Sequence, residues 1–458
     1  MNRRNTMERD LTKGRITSTM IRFAIPMIIG DLLQQLYNVV DTLIVGQFVG
    51  RDALAAVGSS YTLMTFLTSI LLGLCMGSGT VFSMYYGGKN TKRLKKSIST
   101  SFIMIAVCAA LLSIIVFVFI DPIMGLLKVP AEIYDMMRSY LWIIFTGICA
   151  TFLYNFFASL LRALGNSVVP LIFLGISAVM NIVLDLVFVL VFKRGVAGAA
   201  EATVISQYVS GIGITVYTLI KHPDLRPDEG IYEKGLLREL ADFSFLTCLQ
   251  QSIMNFGILM VQGLINSFGI VVMAAFAAAV KIDSFAYMPV QDFGNAFSIF
   301  IAQNYGAREN ERIKTGIRAA FKMAAIFSIT ISAIVFIFAK PLMLIFIQPQ
   351  ETEVLAVGIQ YLRIEGACYV GIGWLFLFYG LYRAIRRPGM SVVLTIVSLG
   401  TRVALAYSLS AIPFIGVVGI WASVPIGWFL ADAIGAVYYR RIRKNRIVFL
   451  EMSDKNGK

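Results

Sequence analysis

The chain is a succession of apolar stretches broken by short charged connections. Many of the stretches exceed the roughly 20 residues that carry a helix across a bilayer. In hydrocarbon every backbone N–H and C=O must be satisfied within the protein, so stretches of this kind have to be helices. An all-α membrane protein follows before any motif is read. Charged residues make up only 14% of the 458, against about a quarter in soluble proteins.

The formal net charge of +14 raises the question of nucleic acid. The bases sit in the connections between apolar segments, where they set membrane orientation, and no basic stripe interleaved with aromatics occurs. Nucleic-acid binding is therefore set aside. Cys75, Cys108, Cys149, Cys248 and Cys368 all lie inside apolar stretches without framework spacing, which reads as buried free thiols. The single histidine, His222, lies in a polar loop with no clustered ligands beside it, so no metal centre is expected there. The polar start, Met1 to Thr19, is too long for the charged head of a cleavable signal, and a retained first helix is expected.

Punctuation by Gly, Pro and charge predicts helices near 19–46, 53–84, 97–120, 133–159, 168–192 and 196–220. After a polar segment come helices near 240–266, 272–303, 317–346, 353–380, 389–412 and 416–440. The domain expectation is a cytoplasmic N-terminus over 1–18, an N-lobe over 19–220 and a cytoplasmic linker over 221–239. A C-lobe over 240–440 and a cytoplasmic tail over 441–458 complete it. Most of the 40 Lys and Arg fall in alternate connections, including Lys89, Lys92, Arg93, Lys95 and Lys96, then Arg308, Arg312, Lys314 and Arg318. That bias places both termini in the cytoplasm and the chain, multi-pass, in a bacterial inner membrane.

An internal repeat carries the architecture. Tyr86-Gly87-Gly88-Lys89 opens a pattern running through Arg93, Lys95, Ile98, Phe102 and Met104. Tyr305-Gly306-Ala307-Arg308 opens the same pattern through Arg312, Lys314, Ile317, Phe321 and Met323. Leu160, Arg162 and Ala163 match Leu381, Arg383 and Ala384, and Gly195-Val196 matches Gly416-Val417. Chance similarity of apolar segments does not make charged connection residues recur at one register, so duplication is inferred. Each half has an even number of helices, which makes the halves parallel repeats with a central cavity expected between them. Twelve helices in two six-helix lobes, of the kind secondary transporters use, is the predicted fold.

A charge in the bilayer interior costs at least about 2.5 kcal/mol, so each one needs a reason. In the first half they are few: Asp31 and Asp41 on the first helix, Asp185 on the fifth, and Glu201 near the start of the sixth. Asp41 lies roughly 8 Å and Asp185 roughly 10 Å below the outer edge by helical rise. Asn181 shares a helix face with Asp185, and Thr203 reaches a similar depth. Two carboxylates at one level in a low dielectric do not both stay charged cheaply. Either one takes up a proton or a cation sits between them. Oxygen ligands suit a hard cation such as Na+ and suit H+ equally, so Asp41, Asn181, Asp185 and Thr203 form the candidate cation-coupling site, metal-ligating if the ion is Na+. The competing view is that one intramembrane Asp only bridges helices. The register counterparts in the second half are Met260, Arg402, Ala406 and Val424, so the set has no copy there.

Around this site Gln34, Tyr37, Asn38, Met64, Asn155, Ser177 and Met180 are the candidate substrate-cavity residues. Amides with flexible Met and aromatic walls suit a promiscuous pocket, although any one of them reads equally as packing. Pro26 removes a helical hydrogen bond and is a candidate hinge. In the second half Lys281, Asp283, Asp292, Glu365 and Arg402 form a candidate network. Lys281 and Asp292 are expected to neutralise each other along one helix face, and Asp432 to meet the inner interface. No cofactor is expected beyond the coupling ion, H+ or Na+.

Several of these stretches together resemble the multidrug and toxic-compound extrusion (MATE) family, in its bacterial branch of DNA-damage-inducible-F proteins. The resemblance rests on Pro26 with Val40-Asp41-Thr42-Leu43-Ile44-Val45-Gly46, on Ala53-Leu54-Ala55-Ala56-Val57-Gly58 and on Arg162-Ala163-Leu164-Gly165-Asn166. It continues through Asn181-Ile182-Val183-Leu184-Asp185, Gly195-Val196-Ala197-Gly198, Lys281-Ile282-Asp283-Ser284-Phe285-Ala286-Tyr287-Met288-Pro289 and Gln303-Asn304-Tyr305-Gly306-Ala307. It runs from Pro26 to about Arg440. It implies cation-coupled efflux of diverse, often cationic amphipathic compounds, an N-lobe acidic site at Asp41, Asn181, Asp185 and Thr203, and a bend in the first helix. The expected function is an H+- or Na+-coupled multidrug antiporter working as a monomer in the lipid bilayer. The alternative is a flippase for lipid-linked oligosaccharide or cell-wall precursors, which would line its cavity with cations. One loop histidine and buried thiols argue against an enzyme.

Overall fold

Each apolar stretch forms helix, and the connections are short. The structure, a computed structural model, describes residues 8–126, 129–225 and 233–444. Residues 1–7 of the expected N-terminal segment, 226–232 of the expected linker and 445–458 of the expected tail lie outside the described residues. The helices are α1 (Ile16–Phe48), α2 (Arg51–Gly87), α3 (Thr91–Leu126), α4 (Ala131–Thr146), α5 (Ile148–Ala163), α6 (Val168–Asp185) and α7 (Gly195–Lys221). After these come α8 (Lys234–Asn266), α9 (Ile270–Gly306), α10 (Asn310–Ile337), α11 (Ala339–Met343), α12 (Thr352–Gly366), α13 (Tyr369–Ala384), α14 (Pro388–Ser410) and α15 (Val417–Lys444).

Among the described residues ten helices are long and apolar enough to cross a membrane, or up to twelve if each of two bent pairs is one span. The bent pairs correct the sequence reading. The stretches expected as single helices at 133–159 and 353–380 are each broken, by 44° between α4 and α5 and by 51° between α12 and α13. At the first break a Cβ on Gly147 would sit 2.7 Å from Gln207 Oε1 and 3.0 Å from the Ile144 carbonyl, so a side chain there would push the Gln207 amide aside. The stretch expected at 317–346 also ends early, α10 stopping at Ile337 before the short α11. In contrast α1 runs without interruption through Pro26.

The backbone repeats with the sequence. Left-handed φ recurs at Gly50 and Gly269, at Lys89 and Arg308, at Gly165 and Arg386, and at Gly195 and Gly416. Each pair stands at the register of the sequence repeat. Non-glycine residues seldom take that conformation, so its recurrence is a shared turn geometry and not a coincidence of composition.

The chain divides into two compact units. Unit 1 comprises residues 1–10 and 25–248, and unit 2 comprises 11–24 and 249–458, so the division crosses α1 just before Pro26. Within unit 1, α2 crosses α8 at Gly73 and Gly77, where an added Cβ would lie 2.5 Å from Cys248 Cα and from the Phe243 carbonyl oxygen. Small residues four apart let membrane helices approach this closely. Ser78 and Ser244 hydroxyls, 2.8 Å apart, close the same crossing. The Arg9 amide donates to the Gly165 carbonyl at 3.1 Å, and Glu8 lies 3.3 Å from His222 Nε2. Within unit 2 the Arg312 guanidinium donates to the Gly14, Leu11 and Lys13 carbonyls at 2.8, 3.2 and 3.2 Å. On α3, Ile103, Val107, Leu111, Ile114 and Val118 are exposed at helical spacing, the lipid-facing stripe of a membrane helix.

Candidate functional site

Asp185 is the last residue of α6, and the chain continues as a π-helical turn over Leu186–Val191. Such turns are rare and gather at functional sites. Asp185 is fully buried, Asn181 is 2% exposed and Thr203 on α7 is 8% exposed. Asn181 Nδ2 donates to Thr203 Oγ1 at 3.2 Å, and Thr203 Oγ1 donates to the Ala199 carbonyl at 3.1 Å. Asp41, half-buried on α1, faces Asp185 carboxyl to carboxyl. The structure thus brings Asp41, Asn181, Asp185 and Thr203 into one cluster.

Asp41 Oδ1, both Asp185 oxygens and Asn181 Oδ1 are buried and accept no hydrogen bond from a protein donor. A buried acceptor without a donor costs about 1–3 kcal/mol, more when charged, and no basic side chain is among the groups acting on the pair. Oxygens arranged this way are a donor set that suits a proton or a hard cation.

Sequence reasoning missed Tyr140. It is buried on α4 and acts electrostatically with Asp41, Asp185 and Tyr37. The signal was in the repeat, because Tyr140-Leu141 and Tyr361-Leu362 recur at one register. Tyr37 lies between Gln34, which it hydrogen-bonds, and Asp41, with Tyr61 and Tyr154 also close. Met64 packs against the hydrophobic cluster containing Tyr140. Gln34 is exposed, while Asn38 and Met180 are half-buried. Asn155 and Ser177 serve the helix framework. Asn155 donates to the Thr151 carbonyl at 2.9 Å, and Ser177 to the Ser206 carbonyl at 3.0 Å. Glu201 is held by Arg194 at 2.7 Å.

In unit 2 the expected pairing of Lys281 with Asp292 does not form. Eleven residues are about 16 Å along a helix axis, beyond any ion pair. Lys281 is exposed, its Nζ 5.9 Å from the centre of the Phe346 ring, while Asp292 is buried. Asp432 is 5% exposed, with no hydrogen bond to either carboxyl oxygen. The remaining residues do assemble. Tyr361 Oη donates to Glu365 Oε2 at 2.8 Å and lies 3.5 Å from Asp283 Oδ2, and Arg402 acts electrostatically on both acids.

Two copies of one family model, MatE, match this chain, over residues 26–187 and 244–408. The chain belongs to the MATE family. Its members are transporters, so the chain is a multi-pass membrane transport protein and not an enzyme. Among curated proteins it is similar to the "Probable multidrug resistance protein YpnP" of Bacillus subtilis, 28% identical over 94% of this chain and 96% of that one. It is also similar to the FAD transporter of Shewanella oneidensis, 25% identical over 91% and 92%. A solved MATE structure, a multidrug resistance transporter of the MOP superfamily in its outward-facing conformation, superposes with a TM-score of 0.88. At 22% identity, over 94% of this chain and 96% of that one, it speaks for the fold alone.

Proposed function

We propose that this MATE protein is a cation-coupled multidrug efflux antiporter. It sits in the cytoplasmic membrane with both termini inside and acts through Asp41 and Asp185. The supporting observation is the cluster of buried oxygens at Asp41, Asp185 and Asn181 with no protein donor and no basic counter-charge. H+ or Na+ binds there from outside and releases the exported compound. Loss of the ion inside resets the carrier, since each ligand shifts only the states it binds unequally. Substrate contact is assigned to Tyr37, which acts with Asp41, to Gln34 and Asn38 beside it on α1, and to Met64 on α2 and Met180 on α6. The names of the Bacillus relatives as multidrug resistance proteins support this substrate class. The acidic character of the intramembrane charges in unit 1 disfavours the lipid-precursor flippase.

The test is dye efflux from purified protein in liposomes under separate H+ and Na+ gradients, with FAD run as a second substrate because one relative carries that name. Efflux driven by one gradient and lost in Asp41→Asn, with the variant still folded, is the expected result and names the ion. A variant that transports like the wild type removes the coupling role from Asp41.

A further inference from the structure

Unit 2 has a cleft at its basic end, between α10 and α15, both of which pack on α13. Its floor and lower walls are apolar, formed by Ile313, Ile317, Leu381 and Ile385. Its rim is polar, formed by Lys314, Tyr439 and Arg443. Arg318, one turn on from Lys314, shares that face of α10 and acts with Lys314 and Arg443 on the Tyr439 phenol. Lys314 also holds Glu311 at 2.7 Å, but the Glu311 side chain is 84% exposed, so the pair is weak.

Unit 1 treats the same place differently. At the repeat register Lys95 stands for Lys314, Ser99 for Arg318, Leu160 for Leu381 and His222 for Arg443. Two of the three fixed cations are thus absent, and the chain covers the position itself. After α7 the turn Pro223–Leu225 packs on both α3 and α7, with Leu225 9% exposed, while His222 lies 3.3 Å from Glu8. In unit 2, α15 instead continues as helix to Lys444, and among the described residues none folds back over the cleft. Deeper along α10 the stripe of Arg318 and Lys322 turns apolar at Ile326 and Ile329, 57% and 59% exposed, and Val437 on α15 is 64% exposed. Basic side chains and tyrosine at the end of an apolar span mark the headgroup level of a bilayer.

We propose that this cleft binds the phosphate headgroup of an anionic phospholipid. Arg443, Lys314 and Arg318 surround the phosphate, and the Tyr439 hydroxyl donates to it. The acyl chains lie along α10 over Ile326 and Ile329. A guanidinium fork matches phosphate oxygens, and each basic side chain near the membrane surface favours an anionic headgroup. A free anion meets the same charges but gains nothing from the apolar floor or from the stripe beyond it. The combination of cationic rim, apolar floor and apolar stripe therefore selects a lipid.

The test is native mass spectrometry of the detergent-purified full chain with phosphatidylglycerol, phosphatidylcholine or inorganic phosphate added. The wild type is expected to hold phosphatidylglycerol about 10-fold more tightly than phosphatidylcholine, and Lys314→Gln with Arg443→Gln to lose that preference. Arg440→Gln with Arg441→Gln removes as many charges from residues that do not line the cleft, and is expected to keep it. Equal retention of the two lipids by the wild type overturns the proposal. Equal loss in both double variants overturns it as well, leaving only a diffuse basic surface. Inorganic phosphate that displaces phosphatidylglycerol at low millimolar concentration makes this a free-anion site and overturns the lipid assignment. A preference that appears only after Phe449→Asp makes the chain's own tail the occupant, and the proposal fails.

Discussion

Each unit buries a pair of acids beside a tyrosine of one repeat register, Tyr140 or Tyr361, and the surroundings of the two pairs differ. In unit 1, Asp41 and Asp185 meet beside Asn181, Thr203 and Tyr140, and their oxygens are left without donors. In unit 2, Asp283 and Glu365 share the Tyr361 hydroxyl and the field of Arg402. Duplication supplied the tyrosine twice but not the acids, since Asp41 and Asp185 align with Met260 and Ala406. In the second cluster Tyr361 donates to Glu365, while Asp283 Oδ1 and Glu365 Oε1 stay without donors, as do both Asp185 oxygens in the first. In low dielectric a buried carboxylate has to be balanced, and the source of the balancing charge decides whether the site responds to its surroundings.

The comparison can be broken most decisively in unit 1. Asp185→Asn is expected to lower gradient-driven efflux by about 10-fold or more, the range of a coupling free energy of 1–3 kcal/mol, while leaving the folded protein intact. The measurement is liposome efflux with thermal unfolding run in parallel, and unchanged efflux would make this pair structural. Unit 2 should behave the other way round. Glu365→Leu removes one partner of a buried charged group and is expected to cost about 3 kcal/mol of stability. The ratio of efflux under the two gradients should not change. A change in that ratio would show that unit 2 also handles the coupling ion.

The tyrosines sharpen the contrast at smaller amplitude. Tyr361→Phe loses a hydrogen bond to a buried carboxylate and should cost about 2 kcal/mol. Tyr140→Phe should shift the ion dependence of efflux with a smaller loss of stability, read by the same unfolding assay. The weakest effect is expected for Arg194→Ala. Its ion pair with Glu201 spans 2.7 Å, but the Arg194 side chain is 53% exposed. Solvent-exposed pairs contribute about 0–1 kcal/mol, so a larger loss would mean that Glu201 belongs to the unit 1 cluster.

Much of this was legible in the residues themselves. Stretches such as 97–120 leave no alternative to helix in a bilayer, and the recurrence of Tyr86-Gly87 with Tyr305-Gly306 announced the duplication. Helical rise alone put Asp41, Asn181, Asp185 and Thr203 at one level, because depth along a straight helix is a local quantity. The breaks at Gly147 and before Tyr369 were not legible, since an apolar run reads the same whether straight or bent, and what crowds Gly147 is Gln207 on another helix. Lys281 and Asp292 failed for a different reason, one the spacing already held: eleven residues set them about 16 Å apart along the helix axis.

The sequence by itself determined the membrane class, the helical stretches and the repeat, because these depend on composition and on spacing along one helix. Only the tertiary structure decided which acids face each other, that Tyr140 and Tyr361 stand beside the two pairs, and that Lys281 turns to Phe346. Those outcomes depend on the rotation of each helix about its axis, which is set by how neighbouring helices pack and is written in no single segment.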